Sequence, residues 1–272
     1  MEGPNFPGEI GLGVGIVILT GTAFYVVQSV FNMSQTVQNR YVNILPYTAL
    51  SDDSQLIIQQ DINTYPDAKP ILASDNERTG IEFAYSFWIA VNETTMNGSD
   101  VLRNVFYKGY DNNPWPLMAP GVFIKGDTNT MRIVYSSYVD PYNHIDIENI
   151  PLNKWFHVVL NFQKTALEIH INGKMVNKLS FESSLPYSNY GNINIFNNVT
   201  KTVNIPNNRV VAYQGSFNGK ISNLVYTRYA ISYNEIQELY STGPSTVVKT
   251  VSSTETPPYL SLIHISEPTR PY

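Results

Sequence analysis

The sequence predicts an all-β protein, a two-sheet antiparallel sandwich, and three observations carry that prediction. Trp155, His157, Val159 and Asn161 alternate with Phe156, Val158, Leu160 and Phe162, the two-residue period of a strand. Leu167, Ile169 and Ile171 then alternate with Glu168 and His170, and Met175 to Phe181 reads as a further strand. Between them stands Asn172-Gly173, the strongest short-range hairpin signal, because a type I′ turn needs positive φ at both central residues.

The elements follow in chain order. Residues 10–27 are uncharged and polar only at Thr20 and Thr22. At 1.5 Å per residue they would span about 27 Å as a helix, near the hydrocarbon thickness of a bilayer. Tyr25 falls where an interfacial aromatic belongs. Residues 1–31 are therefore expected to be an uncleaved transmembrane anchor. A cleaved signal peptide would want a basic leader, whereas Glu2 and Glu9 are the charges ahead of the segment. Gly11 and Gly15 form a GxxxG pair, which packs helices but also arises from ordinary small-residue usage. Arg40 is the nearest following cation, which weakly favours a cytoplasmic main domain. The expected localisation is a single-pass membrane protein.

Residues 32–53 read as a juxtamembrane connector and 54–243 as the sandwich. Strands are expected at residues 55–59, 81–91, 101–108, 121–124, 131–136, 144–147, 210–213 and 219–228, besides the hairpin region. About ten to twelve short strands with polar turns suit two packed sheets. One helix is predicted: Ser232 and Glu235 make a capping box, Ile236, Leu239 and Tyr240 an apolar stripe, and Gly243-Pro244 a stop. Residues 244–259, rich in Ser, Thr and Val, read as a linker or tail. Residues 260–272, LSLIHISEPTRPY, resemble the in-frame translation of a sequencing adapter and are set aside from fold reasoning.

Composition narrows the function. The chain has 272 residues, a net charge of −5, 14% charged residues and 19 tyrosines. No run of Lys and Arg offers the basic patch a nucleic-acid binder needs. With no cysteine, thiolate metal sites, cysteine nucleophiles and disulfide frameworks are excluded, and a reducing compartment is weakly favoured. Sequons at Asn32, Asn92, Asn97 and Asn198 would matter only in a lumenal protein.

The order of parts then carries a resemblance. YSFWI (Tyr85–Ile89), IPLNKWFHVVLNF (Ile150–Phe162), LEIHINGK (Leu167–Lys174) and FNGKISNLVYTRYAISYNEIQELYSTGP (Phe217–Pro244) resemble the laminin-G-like, concanavalin A-like jelly-roll superfamily over roughly residues 57–243. The anchored, cysteine-free, Asn- and Tyr-rich arrangement looks like membrane-anchored members of large nucleocytoplasmic DNA viruses. That likeness implies a structural or adhesive role in a virion membrane or capsid, with the membrane and other surface proteins as partners.

Glucanases of this superfamily use an E-x-D-x-E strand, whose alternation sets three carboxylates on one face. Here the segment reads His144-Ile145-Asp146-Ile147-Glu148, and imidazole at the first position cannot form the glycosyl ester, so no catalytic activity is expected. His157 and His170 lie on adjacent strands without the acids to complete a metal site. The resemblance would bring at most a Ca²⁺ ion, for which Asp111 with Asn112 and Asn113, or Asp140 with Asn143, are incomplete oxygen sets. No other cofactor is expected.

Recognition is the stronger expectation. Sugar sites pair an aromatic face with Asn and Asp hydrogen bonding, because pyranose rings have apolar faces and polar edges. The loops YDNNPWP and YVDPYNH have that make-up, which nominates Tyr110, Asp111, Asn113, Trp115, Tyr138, Asp140 and Tyr142 as ligand-binding. For Trp115 a second reading stands beside the first: it caps the edge of the core while the Asn residues make turns.

Overall fold

The computed structural model describes residues 13–29, 41–52, 55–74, 81–181 and 185–249. The chain divides into two compact units, with the boundary in sequence between Val42 and Asn43. The N-terminal unit holds helix α1, residues 13–29, in which the Thr20 and Thr22 hydroxyls donate back to the carbonyls of Ile16 and Ile18 at 2.9 Å each. Among the described residues no helix is long and apolar enough to cross a membrane. This overturns the expected transmembrane anchor and single-pass membrane localisation. Gly11, most of the 244–259 tail and the adapter-like end lie outside the described residues.

The main unit is a two-sheet sandwich. One sheet has six strands in the order β1 (Tyr41–Leu50), β14 (Gly219–Thr227), β3 (Phe83–Val91), β8 (Trp155–Phe162), β9 (Ala166–Ile171) and β10 (Lys174–Ser180). The other runs β12 (Thr200–Ile205), β13 (Arg209–Ser216), β4 (Leu102–Gly109), β5 (Gly121–Lys125), β6 (Thr130–Tyr135) and β7 (Asn143–Glu148). It is completed by β11 (Asn192–Ile195) on β4 and β2 (Leu56–Ile58) on β11. From β14 to β10 in the first sheet the pairing is antiparallel, and in the second it is antiparallel except where β13 meets the first half of β4. The predicted hairpin turn forms as expected, with Asn172 at φ 50° and Gly173 at φ 76°.

Aromatic rings weld the sheets. Phe83 of β3 stacks on Phe162 of β8 at 4.4 Å, and Phe87 meets Phe106 of the opposite sheet edge-on at 5.2 Å. All four side chains are buried, and each contributes roughly 1.5–3 kcal/mol by leaving water.

Both outer sheet faces are covered as well. On the six-stranded sheet, helix α2 (Tyr233–Thr242) and the segment before it lie over β3 and β8, joining Ala84, Val159, Ile231 and Ile236 in one cluster. The Ser232–Glu235 capping box forms. Asn161 brackets Ile231, accepting from its N–H and donating to its carbonyl, both at 3.0 Å. His157, expected on a more polar face, is 1% exposed, with Ser86 Oγ 2.8 Å from its Nε2 and Tyr240 stacked beside Trp88. His170 is also buried. On the eight-stranded sheet, Val203, Ile205, Val211 and Tyr213 of the β12–β13 hairpin close a second cluster with Tyr107, Phe123 and Tyr142.

Three elements differ from expectation. Residues 41–50, placed in a connector, form edge strand β1. Their burial comes in pairs, Ile44-Leu45 and Thr48-Ala49, instead of in alternation, and Pro46 is tolerated at a sheet edge. Strands β11 and β12 lie in an Asn-rich stretch with little apolar periodicity. Part of the expected tail is also ordered: Val247 O accepts from Thr48 N at 2.8 Å, and Lys249 N donates to Thr48 O at 3.2 Å, so residues 247–249 lie along β1.

Candidate binding site

The loop after β6 projects Tyr138 and Val139, 85% and 70% exposed, from a tightly bonded turn. Ser137 Oγ donates to Asp140 O at 2.9 Å and accepts from Asp140 N at 3.0 Å. Asp140 Oδ1 accepts from Tyr142 N at 2.8 Å, while Oδ2 pairs with Arg209 Nη2 at 3.0 Å. The Asp140 carboxylate therefore sets the loop's shape, and Tyr138 is the side chain the loop presents.

Facing it runs a strap, residues 185–191, seated at both ends. Pro186 bridges Ser137, and Tyr187 N donates to Ser136 O at 3.3 Å. At the far end Asn189 Nδ2 donates to Lys108 O at 3.0 Å, and Lys108 Nζ returns hydrogen bonds to the carbonyls of Asn189 and of Gly191. Gly191 lies so close to β4 that a Cβ there would stand 2.3 Å from Gly109 O. Lys108 is 1% exposed, and burial pushes its ammonium down to about 8.

Between loop and strap opens a cleft of about 250 Å³, floored by Ile71, Ser74 and Ile81 and walled by Tyr138, Tyr187, Ser188, Asn189 and Tyr190. The Tyr138 and Tyr187 rings lie 4.9 Å apart, and Tyr190 is 88% exposed. Burial raises the Tyr187 phenol, with Tyr138 and Tyr110 acting in the same direction. No charged side chain lines this cleft among the described residues. Tyr138 and Tyr190 are the exposed rings at this cleft, with the Ser188 hydroxyl among its lining groups.

Of the seven nominated residues, Tyr138 lines the cleft. Tyr110 is 57% exposed at the end of β4. Asp111 accepts from Asn192 Nδ2 at 2.9 Å and Asn113 from Lys201 Nζ at 3.4 Å, which ties the 110–113 turn to β11 and β12. Trp115 packs, mostly buried, against the second cluster, 6.3 Å from the ring of Tyr142, itself 1% exposed. Trp115 thus takes the core-capping role. Sequence reasoning missed the strap, although Tyr187-Ser188-Asn189-Tyr190 has the same Tyr, Ser and Asn make-up as the loops it selected.

A family profile described as the concanavalin A-like lectin/glucanases superfamily, in its laminin G branch, matches residues 67–237. The chain belongs to this superfamily. No curated protein matches it in sequence. Among solved structures, the receptor-binding domain of botulinum neurotoxin mosaic serotype C/D aligns with 75% of this chain and 45% of its own, at 13% identity and a TM-score of 0.48. A botulinum neurotoxin type C structure concerned with binding of two ganglioside molecules covers 69% of this chain and 39% of its own, at 16% identity and a TM-score of 0.46. The chain thus spans less than half the length of these toxin chains.

Membership of the superfamily makes the β7 trio worth placing. His144, Asp146 and Glu148 alternate on β7 opposite Val134, Arg132 and Thr130. Arg132 grips Asp146 with two hydrogen bonds, Nε to Oδ1 at 2.7 Å and Nη2 to Oδ2 at 2.6 Å. Burial works to raise the Asp146 carboxyl, and the Arg132 guanidinium outweighs it, holding the group below the usual carboxylate range. Burial, then Arg132, lowers the His144 imidazole. A retaining hydrolase needs one carboxyl held protonated as acid and a second free as nucleophile; the Arg132 clamp serves neither need. Nor do the two rim sets suit Ca²⁺, since Asp140 and Asp111 already accept from Tyr142, Arg209 and Asn192. Among the described residues no three His, Asp or Glu side chains cluster to hold a metal ion.

Proposed function

We propose that this chain is a non-catalytic recognition domain that takes a neutral pyranoside in the cleft between Tyr138 and the 185–191 strap. One observation carries the reading: Tyr138 and Tyr190, 85% and 88% exposed, flank a pocket of mixed polar and apolar lining in which no described residue is charged. Clustered exposed apolar surface marks contact sites, and loops on a rigid sandwich are where binding is built. The ring faces would stack on the sugar's C–H face while the Ser188 hydroxyl meets its hydroxyl edge.

Contact with another protein is the rival use of the same surface, favoured by Leu72 and Val139, 55% and 70% exposed near the cleft. A role as a virion component has the sequence resemblance behind it, and mass spectrometry of purified particles tests it separately. The glycan reading is tested on a glycan array with the full chain, wild type and Tyr190→Ala. Binding to neutral glycans that falls at least about tenfold in the variant, the loss of roughly one stacking contact, supports it. A folded protein that binds no glycan removes it and leaves protein contact.

A further inference from the structure

Beneath the cleft sits a group that sugar contact does not use. Lys108 lies on β4 opposite Ile193 of β11, and its side chain points to the strap. At 1% exposure it is among the most buried side chains of the fold. A buried ammonium is costly unless paired, yet here its acceptors are the main-chain carbonyls of Asn189 and Gly191, with Asn189 Oδ1 at 3.5 Å. No ion pair joins Lys108 to a carboxylate among the described residues.

We infer that Lys108 is a positioning residue for the recognition cleft: an interior peg that fixes the strap so that Tyr187 and Tyr190 stand opposite Tyr138. The inference rests on reading the cleft as a recognition site, but its geometry stands without any ligand. The strap is a short irregular segment with few hydrogen bonds of its own. Its entry is held at Ser136 and Ser137, and its exit turns at Asn189, whose Oδ1 accepts from Gly191 N at 2.9 Å. The backbone carbonyls on either side of Tyr190 would otherwise face the interior unpaired, which carries a full desolvation penalty. One ammonium satisfies both, and three donors on one nitrogen suit that task. Methionine fills the same volume but offers no donor, so Lys108→Met leaves those carbonyls orphaned and the strap free to lift away from β4.

The experiment follows amide hydrogen exchange at residues 185–191 without ligand, against β3 and β8 amides as internal reference. Lys108→Met is expected to speed exchange in the strap by at least about tenfold, the worth of roughly one charge-assisted hydrogen bond, with the reference amides unmoved. The chain has no cysteine, so Lys108→Cys can be alkylated uniquely while unfolded and then refolded. Aminoethylation restores an ammonium of lysine's length, whereas propylation restores its bulk alone. Recovery of protection by the first and not by the second supports the peg. Equal recovery by both, or wild-type strap exchange in Lys108→Met, overturns it. If the Lys108 variants do not fold, Asn189→Ala, which removes the return bond to Lys108 O, is expected to give a smaller acceleration confined to the strap; no acceleration there overturns the inference. Because exchange is read without sugar, the peg can fail while glycan binding stands, and the reverse.

Discussion

Replacing Trp115 with alanine separates a core-capping side chain from a sugar platform. A tryptophan side chain buries about 200 Å² when fully enclosed. Trp115 is mostly buried against the Tyr142 cluster, so about 150 Å² of surface is at stake, or about 4 kcal/mol at 25 cal/mol per Å². Urea unfolding followed by far-ultraviolet circular dichroism should show that loss as a lower midpoint with an unchanged slope, since the extent of surface exposed on unfolding hardly changes. Below its unfolding midpoint the variant should keep its glycan affinity within about threefold, because Trp115 lies beneath the loops and away from the cleft wall. A variant that loses less than about 0.5 kcal/mol while losing glycan binding refutes the reasoning and returns Trp115 to the ligand.

Other expectations follow from the same structure. Tyr138→Ala should weaken binding without moving the unfolding midpoint by more than about 0.5 kcal/mol, since the ring is 85% exposed; a large stability loss would show that the ring supports the fold. Burial, then His170, lowers the His157 imidazole from 6.5 to about 4. The unfolded chain therefore binds the extra proton first as pH falls. The stability held above pH 6.5 is lost between there and about 4, up to about 3 kcal/mol for that 2.5-unit gap. His157→Gln should flatten the stability profile in that window, and an unchanged slope would count against the assignment. Gly173→Ala should destabilise the β9–β10 hairpin by about 1 kcal/mol or more, because Gly173 has φ +76° and an added Cβ meets Gln237 Nε2 at 2.7 Å; an unaffected unfolding midpoint would contradict that. Asn161→Ala removes both hydrogen bonds that seat Ile231 and should cost about 1–3 kcal/mol, read by thermal unfolding.

What the sequence showed and what it hid have physical causes. The hairpin, the sheet class and the capped helix were legible because local chemistry dictates each: positive φ at Asn172 and Gly173, period-two alternation in β8, and Ser232 with Glu235 at the helix start. The outer layers were not. Strand β8 reads as half polar, yet His157 and Asn161 are buried beneath α2 and its lead-in, with His157 Nε2 at Ser86 Oγ and the Asn161 amide bonded to Ile231. Alternation reports side-chain polarity and cannot say what a distant segment later covers. The same blindness split the loop aromatics: Tyr138 and Tyr142 stand four residues apart in one loop, and the turn built by Asp140 sends one out to solvent and the other into the core. Strand β1 escaped notice because paired burial breaks the two-residue rhythm. The apolar run near the N-terminus misled in the opposite sense: it forms a helix, but no described helix is long and apolar enough to cross a membrane.

Titration of isotope-labelled full-length protein with the neutral glycan best retained on the array, followed through backbone amide resonances, meets the central claim most directly. The account predicts shifts concentrated at residues 137–139 and 185–191, absent when Tyr138 and Tyr190 are both replaced by alanine. Shifts centred on the 110–116 loop or on β7, or binding that survives the double replacement, would contradict it.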